Sequence, residues 1–386
     1  MKLHMKKETQ KLKIGFVLDA GIDVEDGVQQ YILTLGRYLR GLGNEVHYIV
    51  GESKRTDIEN MHSLSKNFTV KFNGNKVFIP KPTSKKIIIE LLEKEKFDVL
   101  HVQVPYSPFY GAKFVKYALK NTTVVGTFHI LPYNFLTKYG TWLLGLALKN
   151  NLKRFDLQIS ASKANQEFSA WAFHTKSIVV PNMVDIESFT PTKTFKRNNE
   201  VCEILYLGRL TERKGCAYLL QALSCMLKQY PDTKFHLNIA GKGELLDKLK
   251  ETAVKENLYP YIDFLGFVSN VGKIELMQNA DIAVFPAYAG ECFGIVLIEA
   301  MAARSGMVIG GNNPGYACVL GDIKNSLVNV KDTDAFSKVL HKGITDINFR
   351  NEVYTEQQAI IDQYDYKVVG SRILELYKNC KLNVSD

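Results

Sequence analysis

Short apolar runs alternate with amphipathic stretches along most of the chain. The first run, Lys13–Leu18, follows charged residues and predicts a buried strand. Apolar side chains from Val28 to Leu42 then recur at helical spacing, and Gly43 is a suitable residue to end that helix. The next apolar run, Glu45–Val50, predicts a second strand. A strand, a loop, a helix and a strand in this order are typical of a Rossmann-type unit.

The same pattern repeats in two series. The first series continues with Asp98–Gln103, Thr123–Thr127 and Leu157–Ser160. The second series comprises the apolar runs Glu203–Gly208, Lys234–Gly241, Ile262–Gly266, Asp281–Phe285 and Met307–Gly310, with amphipathic stretches such as Tyr218–Leu227 and Leu245–Val254 between them. Two successive series predict an α/β protein made of two Rossmann-like domains.

A polar segment without periodicity, Thr190–Asn199, separates the two series. We therefore predict a first domain over residues 1–190 and a second over residues 200–364. The length of 386 residues suits two domains, and 46% hydrophobic with 23% charged residues excludes wholesale disorder. Because ligands bind beyond the carboxyl ends of the strands in open α/β sheets, two facing domains predict a cleft lined by strand-end loops.

Two cations follow the first strand of the second series. Arg209 and Lys214 lie five residues apart on a loop that enters a helix. A planar guanidinium and a point-like ammonium at a helix N-terminus suit a diphosphate. A solvated, charged loop accounts for the pattern equally well, so these two residues alone do not distinguish a binding site from a surface loop.

The densest signal follows the predicted strand that ends at Phe285. Residues 293–295 are predicted to begin a helix, whose free N–H groups can hold phosphate oxygens. Glu291 precedes this helix, and Glu299 lies inside its apolar stretch. Carboxylates in these places can accept hydrogen bonds from sugar hydroxyls, and their wide separation disfavours an acid–base pair.

The chain has the motifs Gly-Arg-x-x-x-x-Lys-Gly at 208–215 and Glu-x-Phe-Gly-x-x-x-x-Glu at 291–299. In these motifs and their spacing it resembles the retaining glycosyltransferases of family 4. The likeness covers almost the whole chain and includes Asp26–Tyr31, Gly126–His129, Pro181–Asp185, Gly266–Asn270 and Tyr364–Tyr366. It implies a nucleotide-sugar donor and a GT-B fold, in which two Rossmann-like domains face each other across a cleft. In that fold a C-terminal helix, here at about residues 365–386, crosses back to the first domain.

The resemblance also implies roles for the matching residues. Arg209 and Lys214 are expected to hold the donor diphosphate and to stabilise the departing nucleoside diphosphate, and Glu291 to contact the donor sugar. His129 is expected to hydrogen-bond a hydroxyl near the reacting carbon. At Gly27 the missing side chain is expected to let the pyrophosphate approach. The backbone of Phe293, Gly294 and Ile295 is expected to contact the sugar and the phosphates, and Glu299 the ribose.

No Ser-His-Asp or Cys-His arrangement is evident, which fits the mechanism that the resemblance implies. In that mechanism the acceptor attacks the anomeric carbon from the face that the phosphate leaves, and the leaving phosphate takes the acceptor proton, so the anomeric configuration is retained. Catalysis then comes from stabilising the charge of the leaving group and from positioning the reactants. Metal is usually not required in this fold, and the candidate site has no Asp-x-Asp cluster. The six cysteines are scattered without ligand spacing, so we predict neither a metal nor another cofactor.

Within the family, the run Gly290–Ala303 most resembles the bacterial phosphatidylinositol mannosyltransferases, whose donor is GDP-mannose. Val268, Asn270 and Lys273 are expected around the base. Lys273 could donate to guanine O6, but Asn270 stands where a carboxylate would match the guanine N–H groups. GDP-mannose is therefore the leading hypothesis, and a UDP-hexose is the alternative.

The net charge of +9 is carried by the first half of the chain. Residues 1–190 hold 26 Lys and Arg against 17 Asp and Glu, whereas the remaining residues hold 23 of each. Lys81, Lys85 and Lys86 precede an apolar stretch, which suits peripheral binding to anionic lipid, although a solvated basic helix fits any single stretch as well. Asp23 and Gln29 match the acceptor side of the family site, and we expect a lipid-linked acceptor such as phosphatidylinositol.

A second basic and apolar stretch, Lys138–Arg154, brackets the run Trp142–Leu148. The concentration of such stretches in one half favours an anionic membrane surface as a partner. No apolar run reaches the roughly 18–20 residues of a spanning helix, and no apolar signal segment follows the basic N-terminus. We therefore expect a cytoplasmic enzyme, peripheral at the inner face of the cell membrane.

Three other functions stay open on the sequence. A family 4 transferase could use a UDP-sugar and a polysaccharide or other glycan acceptor. A non-catalytic protein could bind nucleotide sugars, but intact Arg209, Lys214, Glu291 and Glu299 argue against it. A nucleic-acid-binding protein is suggested only by the isoelectric point of about 9.0, and since no recognition motif supports it, we expect no nucleic-acid partner.

Overall fold

The computed structural model describes residues 11–23, 26–72, 75–191 and 200–384. Two parallel sheets, each covered by helices, form two successive α/β domains, which confirms the predicted fold class. Residues 192–199, which make up most of the predicted linker, lie outside the described ranges.

Seven parallel strands form the N-terminal sheet. Their sequences are nearly continuous apolar runs because helices cover both faces of the sheet. In spatial order the strands are β3 (Met61–Ser63), β2 (Glu45–Val50), β1 (Lys13–Leu18), β6 (Val99–Gln103), β7 (Thr123–Phe128), β8 (Leu157–Ser160) and β9 (Ile178–Val179). Two further strands, β4 (Asn67–Phe72) and β5 (Asn75–Pro80), pair as an antiparallel hairpin outside this sheet.

Six parallel strands form the C-terminal sheet. Their spatial order is β12 (Ile262–Gly266), β11 (Phe235–Ala240), β10 (Cys202–Leu207), β13 (Ile282–Phe285), β14 (Met307–Gly311) and β15 (Leu327–Val328). Counted within the domain this is the order 3-2-1-4-5-6, in which the chain switches direction between β10 and β13. A ligand is therefore expected beside the loops that follow these two strands.

Helices connect the strands in both domains. In the N-terminal domain they are α1 (Gly27–Gly41), α2 (Lys85–Glu95), α3 (Tyr110–Tyr117), α4 (Phe135–Ala147), α5 (Lys149–Leu152), α6 (Lys163–Phe173) and α7 (Ile186–Phe189). In the C-terminal domain they are α8 (Cys216–Gln229), α9 (Leu246–Lys255), α10 (Asn270–Asn279), α11 (Ile295–Ala302), α12 (Pro314–Leu320), α13 (Thr333–Thr345) and α14 (Ile347–Ile360). Within the described ranges, no helix has the length and hydropathy needed to cross a bilayer.

The last helix, α15 (Tyr366–Val384), returns to the N-terminal domain, where it packs on α1 and β7. Its side chains Ile373 and Tyr377 are buried in the same core as Ile14 of β1. Gly370 permits this approach, because a Cβ there would stand 2.5 Å from the ring of Tyr38. The C-terminal helix thus crosses between the domains and ties them together.

The elements that the apolar pattern missed are short or antiparallel. Strands β3, β9 and β15 have only two or three residues each, and the longest apolar run in the hairpin of β4 and β5 is the three residues Val77–Ile79. Pairing with a neighbouring strand, rather than local sequence, makes such short segments extended. By contrast, the bounds of β8 and β12 are the same as those that the apolar runs predict.

Candidate active site

Strand-end loops from both domains meet at one cleft. Gly27, the first residue of α1, faces α11, and a Cβ added to Gly27 would stand 3.0 Å from Cδ1 of Ile295. Close by, the Ser162 hydroxyl of the N-terminal domain donates a hydrogen bond of 2.6 Å to the Cys292 carbonyl oxygen of the C-terminal domain. The loops that carry the predicted residues therefore face each other across a narrow gap.

Glu291 lies in a buried ionic cluster with two cations. Its Oε1 atom is 2.6 Å from Nη1 of Arg213 and 2.9 Å from Nζ of Lys214. Burial alone would raise the pKa of Glu291, but Lys214 and Arg213 outweigh this effect and hold the pKa below its usual value. Burial also lowers the pKa of Lys214, against the opposing attraction of Glu291. The cluster carries one excess positive charge next to the cleft.

Arg213 was not among the residues predicted from the sequence. It lies in the single 3₁₀ turn Glu212–Lys214 between β10 and α8, and its side chain is only 9% exposed. The turn ends at Gly215, whose φ of +75° and contact with the Pro286 carbonyl leave no room for a side chain. In the sequence, Arg213 looks like any charged loop residue, because its partner Glu291 is 78 residues away.

Arg209 is the exposed cation of this group. Partial desolvation and the nearby Arg213 lower its pKa, whereas Asp26 and Glu291 oppose that change. Asp26 belongs to the N-terminal domain, where it stands at the start of α1 without a capping hydrogen bond from its side chain. Three cations and two carboxylates thus surround the gap between the domains, and an arriving diphosphate would meet an excess of positive charge.

The first turn of α11 is open to a ligand. Gly294 precedes the helix with a φ of +99° and no side-chain cap, so no side chain occupies the first N–H groups of the helix. A Cβ on Gly294 would stand 2.6 Å from the ring of Tyr316, which explains the need for glycine there. Exposed N–H groups and the helix dipole at this end suit phosphate oxygens.

Glu299 and Lys273 form a second buried pair, with Oε1 and Nζ 2.7 Å apart and side chains 7% and 12% exposed. The ammonium of Lys273 also lies over the ring of Phe189, at 5.3 Å from its centroid. The ammonium of Lys273 thus holds the carboxylate that was assigned to the ribose. An ammonium has three N–H donors, so donation from Lys273 to a base stays a prediction.

The other two residues assigned to the base lie on the loop between β12 and α10. Asn270 is exposed at the start of α10, which Ser269 caps by accepting a hydrogen bond from the Gly272 N–H at 3.2 Å. Val268 is half-buried and packs against the C-terminal core. Of the three residues, Asn270 has the side chain most accessible to a base.

Apart from Asp26 at the start of α1, the N-terminal side of the cleft presents a neutral wall next to β7. His129, which follows β7, has Nε2 at 2.8 Å from Oε1 of Gln103, and Tyr31 stands edge-on to its ring at 5.5 Å. Burial lowers the pKa of His129 to about 4, so the imidazole is uncharged near pH 7. If Nε2 carries the proton donated to Gln103, then Nδ1 keeps a lone pair that can accept a hydrogen bond from a hydroxyl.

His101, in strand β6, has a structural role. Its two ring nitrogens are each 2.6 Å from a hydroxyl oxygen, that of Tyr377 on α15 and that of Thr127 on β7. Burial lowers its pKa to about 3, and no polar atom of its ring is left for a ligand. It helps to attach α15 to the N-terminal sheet.

The residues assigned to the acceptor side are engaged with neighbouring loops. The Asp23 carboxylate accepts hydrogen bonds from the Ser53 hydroxyl at 2.8 Å and from the Lys54 N–H at 2.9 Å. Gln29 is buried, and its amide donates to the Gly21 carbonyl oxygen at 3.2 Å. Both side chains therefore shape the loop before α1, and their contact with an acceptor stays a prediction.

The predicted basic residues of α2 are exposed but partly compensated. Lys81 lies before the helix, and Lys86 is 3.8 Å from Glu90 one turn ahead. The ammonium of Lys85 lies 5.4 Å from the centroid of the Tyr117 ring. The helix carries as many acidic as basic residues, so its net charge is zero.

One group of side chains within the described ranges could share a metal ion: His47, His62 and Glu95. It lies at the amino ends of the N-terminal strands, opposite the cleft edge. Nδ1 of His47 is 2.8 Å from Nε2 of His62, and the ammonium of Lys13 is 2.7 Å from Glu95. Because a cation already compensates this carboxylate, the arrangement is that of a satisfied polar network.

Comparisons with known proteins identify the family of the chain. The family described as Glycosyltransferase Family 4 matches residues 26–188, and that described as Glycosyl transferases group 1 matches residues 191–360. The chain is 29% identical over 372 residues to the phosphatidyl-myo-inositol mannosyltransferase of Mycolicibacterium smegmatis, covering 95% of this chain and 94% of that one. It is also 28% identical over 219 residues to the D-inositol 3-phosphate glycosyltransferase of Corynebacterium urealyticum, covering 53% and 51% of the two chains.

Solved structures with the same fold include a glycosyltransferase from Rickettsia africae, with a TM-score of 0.76, 19% identity and coverage of 96% of this chain and 99% of that one. Anabaena HepE, solved in complex with UDP-glucose, has a TM-score of 0.75 at 17% identity and covers 95% of this chain and 100% of its own. At this identity the likeness concerns the fold, two Rossmann-like domains facing across a cleft.

Proposed function

The chain belongs to glycosyltransferase family 4, and we propose that it transfers a mannosyl group from GDP-mannose to a lipid-linked acceptor such as phosphatidylinositol. The support for the transferred group and the acceptor is the similarity to phosphatidyl-myo-inositol mannosyltransferases over 95% of the chain. The active site is the cleft between the two domains, and configuration at the sugar is retained.

The observation that carries the proposal is the buried cluster of Arg213, Lys214 and Glu291 beside the open first turn of α11. Glu291 holds both cations in place before a donor arrives, so little reorganisation is needed when charge develops. Together with the exposed Arg209, they would stabilise the negative charge of a departing nucleoside diphosphate. Side chains thus supply the cations, and we expect activity to persist in a metal chelator.

The reaction has a simple balance of bonds and protons. The acceptor hydroxyl oxygen forms a bond to the anomeric carbon as the bond from that carbon to the β-phosphate oxygen breaks. The electron pair goes to the phosphate oxygen, which takes the hydroxyl proton on the same face. Neutral His129 would orient a sugar hydroxyl by hydrogen bonding, and Glu299, positioned by Lys273, would accept hydrogen bonds from the ribose.

We also propose that the enzyme works at the inner face of the cell membrane as a peripheral protein. A lipid-linked acceptor requires the cleft to reach the bilayer surface. The positive charge concentrated in residues 1–190 supports this position, because anionic headgroups attract basic surfaces.

A ligand titration followed by a transfer assay tests the proposal. The melting temperature is measured with GDP-mannose, GDP, UDP-glucose, UDP-N-acetylglucosamine and UDP, for the wild type and for Arg209→Ala. We expect a rise with the two guanosine ligands alone, reduced in the variant, and then mannosyl transfer to phosphatidylinositol in vesicles. A rise with uridine ligands alone would replace GDP-mannose as the donor, and a rise with GDP-mannose without any transfer would favour the non-catalytic alternative. No rise with any of the five ligands would overturn the proposal.

A further inference from the structure

Helix α4 presents five large apolar side chains to solvent. Its fully buried residues are the small Thr141 and Gly145, and Leu144 is partly buried against the neighbouring core. A Cβ on Gly145 would stand 2.1 Å from the Ala172 carbonyl oxygen, so close packing on α6 holds this orientation. The large exposed side chains of α4 are Phe135, Leu136, Tyr139, Leu143 and Leu146, with Leu136 80% and Phe135 72% exposed. A surface helix normally has the reverse arrangement.

Aromatic side chains extend this apolar surface onto α6. Tyr139 stands edge-on to Trp171 with ring centroids 5.7 Å apart, and Phe135 contacts Tyr139 at 4.3 Å. Trp171 is itself 38% exposed, and the ammonium of Lys138 lies 5.0 Å from its ring centroid. Indole and phenol rings next to a lysine are the side chains that favour the interface between lipid tails and headgroups.

Basic residues outnumber acidic ones around this surface, where Glu167 of α6 is exposed one turn before Trp171. Residues 135–155 contain no acidic residue, and Lys138, Lys149 and Lys153 are exposed among them. Helix α2, by contrast, balances its lysines with Glu90, Glu93 and Glu95. The apolar surface of α4 therefore complements an anionic layer, whereas a second copy of the chain would bring like charges together across a two-fold contact.

The apolar surface leads directly into the cleft. Tyr133, two residues before α4, has its Cβ 3.2 Å from the place that a Cβ on Gly290 would take. Gly290 precedes Glu291, and the same place lies 3.4 Å from Nη1 of Arg213. A lipid acceptor whose tails stay in the bilayer beside α4 would therefore have only a short distance to bring its headgroup to the ionic cluster.

We propose that the exposed face of α4, with Trp171 of α6, inserts into the outer part of an anionic lipid bilayer and sets the mouth of the cleft at headgroup level. This inference rests on the proposed function, because it takes the acceptor to be a membrane lipid. It assigns the insertion to α4, whereas Lys85 and Lys86 lie on α2, a helix of no net charge, and Lys81 lies just before that helix.

The chain carries its own probe for this contact. Its two tryptophans, Trp142 and Trp171, lie on α4 and α6, so tryptophan fluorescence, excited where tyrosine does not absorb, reports on this region alone. With vesicles of phosphatidylcholine and phosphatidylglycerol we expect a blue shift of the emission and sedimentation of the full chain with the vesicles. Phosphatidylcholine alone should bind more weakly, because the lysines then lack anionic partners.

The variant Leu136→Glu/Leu143→Glu should lose binding to the anionic vesicles by about tenfold or more, since it places charge in the inserted face. Val254→Glu on α9 is the matched control, because Val254 is equally exposed at 60% but belongs to the C-terminal domain. A second variant, Phe135→Ser/Leu136→Ser, removes apolar surface without adding charge and should also weaken binding. An unchanged thermal shift with GDP shows that each variant is folded.

The possible outcomes separate the two proposals. Vesicle binding that survives both α4 variants would overturn the insertion surface, as would a wild type that ignores vesicles while its melting temperature still rises with GDP-mannose. A wild-type dimer that the α4 variants convert to monomers in light scattering would overturn it too, in favour of a second copy. Vesicle binding that depends on α4 in a protein insensitive to nucleotide sugars would support the surface and reject the proposed function.

Discussion

The two walls of the cleft differ in charge. The C-terminal wall holds Arg209, Arg213 and Lys214 around Glu291, whereas the N-terminal wall holds the uncharged pair His129 and Gln103. Burial favours the neutral form of both Glu291 and His129, and the presence or absence of neighbouring cations or anions decides which form each adopts. A buried carboxylate stays ionised where two cations stand within 2.9 Å, and a buried imidazole without an anionic partner loses its proton.

This difference separates two tasks in the proposed reaction. The leaving group is anionic and needs fixed cations, while the acceptor and the sugar present neutral hydroxyls that need hydrogen-bond partners of no net charge. Changes to the charged wall should therefore affect the rate most, and changes to the neutral wall should affect positioning and pH dependence.

The largest effect is expected when the charged wall loses a cation. Lys214→Ala removes an ammonium that faces the departing diphosphate, and we expect kcat to fall by about 10²–10³-fold, the usual loss for one electrostatic stabiliser. The measurement is mannosyl transfer at saturating GDP-mannose. Lys242→Ala is the control, because Lys242 is an exposed lysine of the same domain. Its ammonium lies 5.9 Å from the centroid of the Phe267 ring and is not part of the cluster around Glu291. An unchanged kcat in Lys214→Ala would remove the distinction between the walls.

The neutral wall should contribute less. His129→Ala deletes the hydrogen-bonding imidazole beside Gln103, and we expect a loss of about 10²-fold in kcat/KM, within the range for positioning and hydrogen-bonding groups. The wild-type rate should show no inflection near pH 6.5, because the pKa of His129 is about 4. An inflection there that His129→Ala abolishes would mean that this wall carries charge after all.

A smaller effect is expected in the second ionic pair of the charged wall. Glu299→Gln keeps the shape of the side chain but weakens its hydrogen bonds to a ribose and frees Lys273, so KM for the donor should rise by about tenfold with little change in kcat. Glu275→Gln serves as the control, because Glu275 is exposed on α10 two residues after Lys273 and therefore lies on a different face of that helix. A fall in kcat alone would place Glu299 at the reacting carbon instead of the ribose.

The smallest effect concerns stability and pH. The pKa of His129 is lowered from 6.5 to about 4 in the folded chain, so its contribution to stability is present above pH 6.5 and is lost as the pH falls toward 4. The free energy of unfolding of the wild type should therefore fall between pH 6.5 and pH 5.5, and His129→Gln should make this decrease smaller by about 1 kcal/mol. Thermal melts at the two pH values measure this decrease in stability. An equal decrease in the wild type and the variant would show that the imidazole is not held in its neutral form by burial.

Local sequence was sufficient for most of the central strands, since a strand covered on both faces must be apolar throughout. Leu157–Ser160 and Ile262–Gly266 were predicted with the bounds that the structure has. The positions of Arg209, Lys214, Glu291 and Glu299 at one cleft edge also follow from the rule that ligands lie beyond the carboxyl ends of the strands. The rest of the site required contacts between distant segments.

The sequence by itself determined the two-domain α/β architecture, the family and the loops that carry the chemistry, because all of these depend on local apolar periodicity and motif spacing. Only the tertiary structure decided which charges pair. It joins Arg213 to Glu291 and Lys273 to Glu299, pairs separated by 78 and 26 residues. It also turned the apolar face of α4 outward, because Gly145 packs against α6. Pairing and orientation depend on distances in space, which the order of residues along the chain does not contain.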